Sequence, residues 1–402
     1  MLDLADVEAA AERVADVCHR TPLERSQTFS DMVGAEVYLK LELFQRTGAF
    51  KIRGATNRIA TLSPDQRDAG VVAASAGNHA QGVALAATRE GVESTIVMPE
   101  HAPIAKVHAT EGYGADVVLH GENYDAAEAY AHELETRENY TYVHAFEDPQ
   151  VMAGQGTIGL EIAEDLPDVD TVVVPIGGGG LISGIATAIE ARTDARVIGV
   201  QAAGAATVPQ SLDAGEVTSR ETVDTIADGI ATRRVGEATF AVIAERVDEV
   251  VTVTDPEIAV AITTLLERQK LLAEGAGVVP LAALLEGKFD YESGETVALC
   301  LCGGNIDLNV LTTVVTRGLV ESGRYLRIRT TLKDRPGALD ELVAVLAGAQ
   351  ANIYAIRHDR TSRDVGMTAA EVELDLETRG RAHVEGLLET LRERGYAVDV
   401  LV

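Results

Sequence analysis

Residues 171–181 read Thr171-Val172-Val173-Val174-Pro175-Ile176-Gly177-Gly178-Gly179-Gly180-Leu181 and give the clearest indication of the chain's architecture. Its β-branched run predicts a buried strand, four glycines follow directly, and a helical stretch begins at Leu181. Consecutive glycines leave backbone N–H groups unobstructed, so at the start of a helix they form a site for a phosphate group. A tight structural turn is the alternative explanation of the four glycines.

The glycine cluster does not match the motifs that bind larger nucleotides. The last glycine of the Rossmann dinucleotide fingerprint is missing at the required spacing, and Gln201 rather than an acidic residue follows the next strand. The chain also lacks a Gly-Lys-Ser or Gly-Lys-Thr phosphate loop. The sequence therefore favours a ligand with a single small phosphate over a dinucleotide or ATP.

Short β-branched runs alternate with helical stretches over most of the chain. This alternation predicts an α/β fold with buried, largely parallel strands, in which a ligand binds at the carboxyl ends of the strands. The predicted strands cover residues 37–39, 71–74, 94–98, 116–119, 171–174, 197–200 and 296–299.

The 402-residue chain carries 63 acidic and 34 basic residues, which gives a formal net charge of -29. An acidic excess spread along the whole chain argues against nucleic acid as a partner. It is also typical of a halophilic surface, because dissolved salt screens the repulsion among the carboxylates. We find no basic leader, no apolar run long enough for a membrane, and no zinc-ligand or carboxylate pattern for a metal. We therefore expect a cytoplasmic protein without a metal site.

Lys51 is the best candidate for a catalytic amine. It lies between Phe50 and Ile52 and is one of only six lysines in a chain whose positive charge is carried mostly by arginine. A partly desolvated lysine can form a Schiff base, which arginine cannot do at working pH. The alternative is a helix-start lysine whose stem packs on Phe50 while its ammonium reaches solvent.

Two further strand ends carry polar or glycine-rich loops. The first reads Ser75-Ala76-Gly77-Asn78-His79-Ala80-Gln81-Gly82 and offers neutral donors for a carboxylate or phenolate oxygen, although Ser75 or Asn78 could simply cap the next helix and His79 could be structural. The second reads Cys300-Leu301-Cys302-Gly303-Gly304-Asn305, in which we interpret Cys300 as a buried hydrophobe and Cys302 as a candidate to face a ligand. An amine, a phosphate cup and neutral polar groups together predict pyridoxal 5'-phosphate as cofactor.

Four of these segments resemble the fold type II pyridoxal phosphate enzymes, specifically the threonine dehydratases (threonine ammonia-lyases). They are residues 47–55, 75–82, 177–181 and 302–305, which occur in the order of that family, and the resemblance covers roughly residues 1–320. It implies two subdomains with parallel sheets, the smaller of which, roughly residues 45–145, is inserted in the larger.

The resemblance also implies roles for individual residues. Lys51 holds the cofactor as a Schiff base and removes the Cα proton of the substrate. The other implied contacts are Asn78 with the ring hydroxyl of the cofactor, Gly177, Gly178, Gly179, Gly180 and Leu181 with its phosphate, Cys302 with its pyridine nitrogen, and Ser75, Ala76, Gly77, Asn78 and His79 with the carboxylate of the substrate. A neutral partner of the pyridine nitrogen leaves the ring a weaker electron sink, which favours β-elimination.

The implied reaction converts L-threonine to 2-oxobutanoate and ammonia, the first step of isoleucine biosynthesis. A catabolic threonine or serine dehydratase is the close alternative. A serine racemase is less favoured, because similar racemases carry a second serine at the position of Ala76, and alanine cannot transfer a proton. From another class, the chain could be a catalytically silent amino-acid sensor, which would have no need of Lys51.

A second domain is predicted at residues 325–402. The pattern there gives the order β-α-β-β-α-β of a ferredoxin-like α+β fold, with strands at 325–332, from 353, from 367 to 376, and at 398–402. The turn at residues 334–339 makes this domain resemble an ACT domain. Such domains pair across subunits and bind amino acids, so the resemblance implies a homodimer or homotetramer with allosteric feedback by isoleucine or valine.

Overall fold

The computed structural model describes residues 2–361 and 366–402. The chain forms two compact units, which divide between Ile306 and Asp307. This division lies earlier than the expected one near residue 320, because the helix Leu308–Glu321 contacts the strand Tyr325–Lys333 within the second unit. Within the described residues, no helix is both long and apolar enough to cross a bilayer.

The strands of the described chain are, in chain order, β1 (Leu23–Arg25), β2 (Glu36–Leu41), β3 (Val71–Ala74), β4 (Ser94–Met98), β5 (Asp116–Leu119), β6 (Thr141–Tyr142), β7 (Thr171–Pro175), β8 (Arg196–Ala202), β9 (Glu249–Val253), β10 (Thr296–Leu301), β11 (Tyr325–Lys333), β12 (Asn352–Asp359), β13 (Ala369–Glu377) and β14 (Val398–Val400). The seven strands predicted for the first unit are confirmed, whereas the short strands β1 and β6 and the strand β9 were not predicted.

The α-helices are α1 (Leu4–Val14), α2 (Gln27–Val33), α3 (Lys51–Ala60), α4 (Pro64–Ala69), α5 (Asn78–Glu90), α6 (Ile104–Glu111), α7 (Tyr124–Glu138), α8 (Pro149–Asp165), α9 (Gly180–Arg192), α10 (Val208–Ala214), α11 (Glu237–Arg246), α12 (Asp255–Gln269), α13 (Gly275–Leu285), α14 (Leu308–Glu321), α15 (Ala338–Gly348) and α16 (Arg381–Glu393). Short 3-10 helices cover Glu42–Phe44, Ala203–Ala205 and Asp228–Ile230.

The first unit contains two sheets, which confirms the predicted α/β class. The larger has the order β1-β2-β10-β7-β8-β9, in which only β1 pairs antiparallel with its neighbour. The smaller has the order β5-β4-β3-β6 and is entirely parallel. Strands β3 and β7 are buried along their whole length, as expected of apolar runs covered by helices on both faces.

The sequence explains how helix α8 begins and how closely α8 packs against α9. Asp148 accepts hydrogen bonds from the amides of Gln150 (2.7 Å) and Val151 (3.2 Å), and Pro149 occupies the first turn of α8. Any side chain at Gly184 of α9 would overlap the backbone of α8 at Gly156. The two glycines therefore let these helices approach closely behind the larger sheet.

The second unit is a four-stranded antiparallel sheet in the order β12-β13-β11-β14 with helices α15 and α16. Its core is apolar and includes Leu342, Leu346, Leu387 and Leu391 from the two helices. The predicted order β-α-β-β-α-β is observed and is consistent with a ferredoxin-like domain. Strand β13 begins at Ala369 rather than Met367, because residues 367–368 form the turn that precedes it.

Candidate active site

Lys51 is the first residue of α3, and its side chain points inward. The Nζ atom donates a hydrogen bond of 2.8 Å to the carbonyl oxygen of Ala145 and lies 5.2 Å from the centroid of the Phe50 ring. Burial lowers the pKa of the Lys51 amine to about 8, while the negative charge of Glu274 acts in the opposite direction. The lysine is therefore not a surface residue that extends into solvent, and it can supply a neutral amine.

The turn after β10 holds the start of α3 in place. The amide of Phe50 donates to the carbonyl oxygen of Cys302 (3.1 Å), and the amide of Gly304 donates to that of Gly48 (2.9 Å). Gly48 has a φ of 72°, and a side chain there would overlap that of Asn305. Two motifs that are about 250 residues apart in sequence thus meet at the carboxyl end of the larger sheet.

The glycine loop connects β7 to α9 and exposes its backbone. Gly179 has a φ of 94°, and Thr239 Oγ1 anchors the loop by donating to the carbonyl oxygen of Gly178 (2.7 Å). A side chain at Gly178 would overlap the ring of Phe146. Within residues 2–361 and 366–402, the amides from Gly177 to Ile182 donate to no protein acceptor.

Buried backbone N–H groups without an acceptor are rare in native proteins. Gly178 to Ile182 are buried, and together with the half-buried Gly177 they place six amides without an acceptor in succession at the N-terminus of a 13-residue helix, which fits an anionic ligand such as a phosphate. The loop is therefore more than a tight turn. It has the donors that the phosphate of pyridoxal phosphate requires, and the half-buried amine of Lys51 supplies the partner for an aldehyde.

A second loop with free amides lies between β3 and α5. Ser75 Oγ accepts from the amide of Gly77 (3.1 Å), and Gly77 itself is the N-cap of α5, so neither Ser75 nor Asn78 caps that helix through its side chain. The space beside Gly77 is open for at least 4 Å. The side chain of Ala76 is half-buried against the core of the smaller sheet. This loop can accommodate a small carboxylate next to its amides.

His79 is placed differently from the other residues of this loop. Its side chain is only 4% exposed, and its Nε2 atom is bonded to the carbonyl oxygen of Val143 (2.8 Å). Burial lowers the pKa of His79 to about 3, so the ring is neutral. The ring of His79 thus has the structural role that was one of the two possibilities left open by the sequence. The backbone amide of His79, in contrast, has no acceptor among the described residues.

Asn78 contacts two polar residues from other parts of the chain. Its Nδ2 atom donates to Glu274 Oε1 (2.6 Å), and its Oδ1 atom accepts from Asn305 Nδ2 (2.9 Å). Burial raises the pKa of Glu274 to about 7. Sequence reasoning missed Glu274, although an acidic residue directly before Gly275-Ala276-Gly277 at a helix start was a signal that could have found it.

Cys302 is buried at the end of β10. Its Sγ atom donates to the carbonyl oxygen of Cys300 (3.2 Å), and both cysteines belong to the core of the larger sheet. Burial raises the pKa of the Cys302 thiol well above its ordinary range, so the group is neutral. The resemblance implied a neutral group at this position, and Cys300 is the buried hydrophobe that we expected.

Residues 143–148 form one wall of the site and were not predicted. The carbonyl oxygens of Val143 and Ala145 accept from His79 and Lys51, and the ring of Phe146 covers the glycine loop. Glu147 Oε1 accepts from the amides of Glu237 (2.6 Å) and Ala238 (3.3 Å) at the start of α11. No sequence pattern marks this segment, because every residue type has a backbone carbonyl group that can accept a hydrogen bond.

Comparison with known proteins agrees with this geometry. Residues 14–303 match the model of the family described as pyridoxal-phosphate dependent enzymes. The chain is 50% identical over 402 residues, all of both proteins, to an L-threonine ammonia-lyase of Geobacter sulfurreducens. It is 48% identical, again over the whole of both chains, to an L-threonine ammonia-lyase of Thermotoga maritima.

A solved structure gives the same result for the fold. The processed form of threonine deaminase isoform 2 from Solanum lycopersicum superposes with a TM-score of 0.76 at 40% sequence identity, covering 78% of this chain and 86% of that one. The matched family region contains Lys51, the glycine loop and Cys302. The chain therefore belongs to the family of pyridoxal-phosphate dependent enzymes.

Proposed function

We propose that the protein deaminates L-threonine to 2-oxobutanoate and ammonia. The single observation that carries the proposal is the half-buried amine of Lys51, which donates a hydrogen bond of 2.8 Å to the carbonyl oxygen of Ala145 in the segment that also covers the glycine loop. The two full-length relatives named L-threonine ammonia-lyase support threonine as the substrate.

Lys51 performs two steps in this proposal. Pyridoxal phosphate, when bound, withdraws electrons from the attached amino acid and so acidifies its Cα–H bond. Lys51 first supplies the amine that holds the cofactor and then the base that removes the Cα proton. Since its pKa is about 8, roughly half of the amine is neutral at pH 8, which suits both roles.

The two sets of free amides bind the anionic groups. The amides of the glycine loop, Gly177 to Ile182, hold the phosphate, as their lack of acceptors within the described residues suggests. The loop that includes Ser75, Gly77 and Asn78 receives the carboxylate of the substrate. The neutral thiol of Cys302 would face the pyridine nitrogen of a bound cofactor and would not protonate it, a situation that favours elimination of the β-hydroxyl group.

Ala76 directs the reaction away from racemisation. A racemase needs a second acid or base on the face of the substrate opposite Lys51, and the methyl group of Ala76 cannot carry a proton. Ala76 is half-buried against the core of the smaller sheet, and its side chain brings no polar group to that face. Elimination is therefore the proposed main reaction.

We also propose that the second unit regulates the enzyme as an ACT-like domain in isoleucine biosynthesis. Its sheet order β12-β13-β11-β14 supports this assignment, as does the extension of the two full-length relatives over the same residues. The turn at residues 334–339, where Gly337 has a φ of 86°, precedes α15 and is the proposed effector turn, with isoleucine or valine as the effector.

Formation of 2-oxo acid from L-threonine and from L-serine, measured side by side with and without isoleucine, tests these proposals. We expect turnover of L-threonine, with inhibition by isoleucine. A Lys51→Ala variant should lose both turnover and the visible absorbance of bound cofactor. A protein that stays colourless and inactive after addition of pyridoxal phosphate would contradict the proposed activity, and turnover that is insensitive to isoleucine and valine would contradict the regulatory role.

A further inference from the structure

The amide of Asn78 lies in a chain of hydrogen bonds with a fixed direction. The chain starts at the carbonyl oxygen of Thr47, which can only accept. Asn305 Nδ2 donates to this oxygen (2.7 Å) and also to Asn78 Oδ1 (2.9 Å). Because the Thr47 carbonyl demands a donor, the orientation of the Asn305 amide is determined, and it determines that of Asn78 in turn.

Glu274 completes the chain from the other side. Asn78 Nδ2 donates to Glu274 Oε1 (2.6 Å), which matches a carboxylate acceptor and agrees with the orientation that Asn305 sets. An amide nitrogen carries two N–H groups. The second N–H of Asn78 has no acceptor among residues 2–361 and 366–402, so Asn78 keeps one free donor.

The carboxyl group of Glu274 is itself held rigidly. It is half-buried, its Oε1 atom accepts from Asn78 Nδ2, and any side chain at Gly303 would overlap it. The Glu274 carboxylate interacts electrostatically with the charged groups of Lys51, Lys106 and Asp228. Its negative charge also acts on the neutral thiol of Cys302. Because position 303 is a glycine, the turn after β10 leaves room for the Glu274 carboxyl group beside Asn78.

We propose that Asn305 and Glu274 are positioning residues that lock Asn78 so that it presents an N–H group, and not its carbonyl oxygen, to the ring oxygen of the cofactor. A donor in that place stabilises negative charge on the ring oxygen, whereas a carbonyl oxygen would repel it. This inference rests on the proposed function, because it takes the site of Lys51 to be the cofactor site.

The decisive variant is Asn305→Asp, which replaces the donor amide in this series of hydrogen bonds by a carboxylate that can only accept. The introduced carboxylate cannot donate to the Thr47 carbonyl or to Asn78 Oδ1, and it repels both oxygens. It therefore favours an Asn78 amide turned by about 180°, which presents its carbonyl oxygen in place of the free N–H group. We expect the dissociation constant of pyridoxal phosphate to rise about tenfold to a hundredfold, the range for loss of a hydrogen bond to a charged group. Equilibrium dialysis of the full chain measures it, and the absorbance band of the bound cofactor should move because it reports the charge on the ring oxygen.

A double-mutant cycle separates positioning from a merely structural effect. If Asn305 acts through Asn78, the change Asn305→Asp should weaken cofactor binding in the wild-type background but not in the Asn78→Ala background. Equal weakening in both backgrounds would overturn the proposal. Glu274→Ala should weaken binding more than Glu274→Gln, since glutamine keeps an acceptor for Asn78, and the reverse order would also overturn it.

Asn57→Asp is the matched control. Asn57 is fully buried, and its Nδ2 atom likewise donates to a backbone carbonyl, that of Gln150 (2.7 Å), in a part of α3 away from the Cys302 turn. This variant should lose thermal stability but keep the cofactor affinity of the wild type. The readout is cofactor binding, so a wild-type protein that binds pyridoxal phosphate but does not deaminate threonine would refute the proposed function and leave this inference intact.

Discussion

The amine of Lys51 is hydrogen-bonded at 2.8 Å to the carbonyl oxygen of Ala145, a residue 94 positions further along the chain. The neighbours of Ala145 contact the other two parts of the site, since Val143 accepts from His79 and Phe146 covers the glycine loop. A single segment, residues 143–148, thus fixes the amine relative to both sets of free amides.

The rate at which the cofactor-free protein captures pyridoxal phosphate should rise with pH through about 8. Burial lowers the pKa of Lys51 to about 8, so the amine is protonated and unreactive below that pH and neutral above it. Stopped-flow absorbance between pH 6 and pH 10 measures the rate, with Lys51→Arg as the variant that cannot form the covalent link. A rate that still rises steeply at pH 10 without levelling off, as the ordinary lysine pKa of 10.5 requires, would contradict the prediction.

Gly178→Ala should weaken cofactor binding at least about tenfold, the effect of losing one good hydrogen bond to a charged group. The added methyl group would overlap the ring of Phe146 and displace the loop amides. A second change, Phe146→Ala, makes room for that methyl group and should restore part of the affinity. Gly386→Ala is the control: this exposed position in α16 has open space around it and should gain about 1 kcal/mol of stability without changing cofactor binding.

Arg53→Met should lower the free energy of unfolding by about 3–5 kcal/mol, because it leaves buried carboxylates without their partner. The guanidinium group of Arg53 is 1% exposed and contacts Glu42 at 2.8 Å and Glu161 at 2.7 Å. Urea unfolding measures the loss. The matched control is Arg192→Met, which breaks an ion pair with Glu8 whose side chains are 49% and 46% exposed, and it should cost less than about 1 kcal/mol. Equal effects of the two changes would contradict the prediction.

Ala76→Ser should increase the production of D-serine from L-serine relative to the elimination of water. The introduced hydroxyl group gives the site a proton carrier on the face that our proposal places opposite Lys51. Chromatographic separation of the serine enantiomers, together with a keto-acid assay, measures both reactions. The double variant Ala76→Ser with Lys51→Ala should show neither reaction, and an unchanged ratio in the single variant would count against the role given to Ala76.

The melting temperature should rise with salt concentration up to the molar range. The net charge of -29 produces repulsion that dissolved ions screen within about 3 Å at 1 M salt. Calorimetry in increasing potassium chloride measures the change, with an uncharged solute at equal osmolarity as the control. A melting temperature that stays constant between low and molar salt would exclude the halophilic interpretation.

Several features of the protein were determined by the sequence alone. The period of β-branched runs predicted the central strands, because strand formation in a buried parallel sheet depends on local composition. The glycines at residues 177–180 predicted a loop with exposed amides, since only glycine leaves the backbone so accessible. Lys51 and Cys302 stood out because their chemical groups are unusual in their local context. The order of elements after residue 325 followed from apolar spacing in the same way.

Other features were decided only by the tertiary structure. Sequence could not show that Ala145 receives the hydrogen bond of Lys51, because a backbone carbonyl carries no sequence signature. It could not show that Glu274 and Asn305 flank Asn78. Asn78 and Asn305 are 227 residues apart in sequence, and only the fold brings them together. The burial of the His79 ring was equally unpredictable, because its hydrogen-bond partner Val143 lies on a loop that is distant in sequence. Contacts of this kind depend on the order of strands in the sheet, and local periodicity does not encode that order.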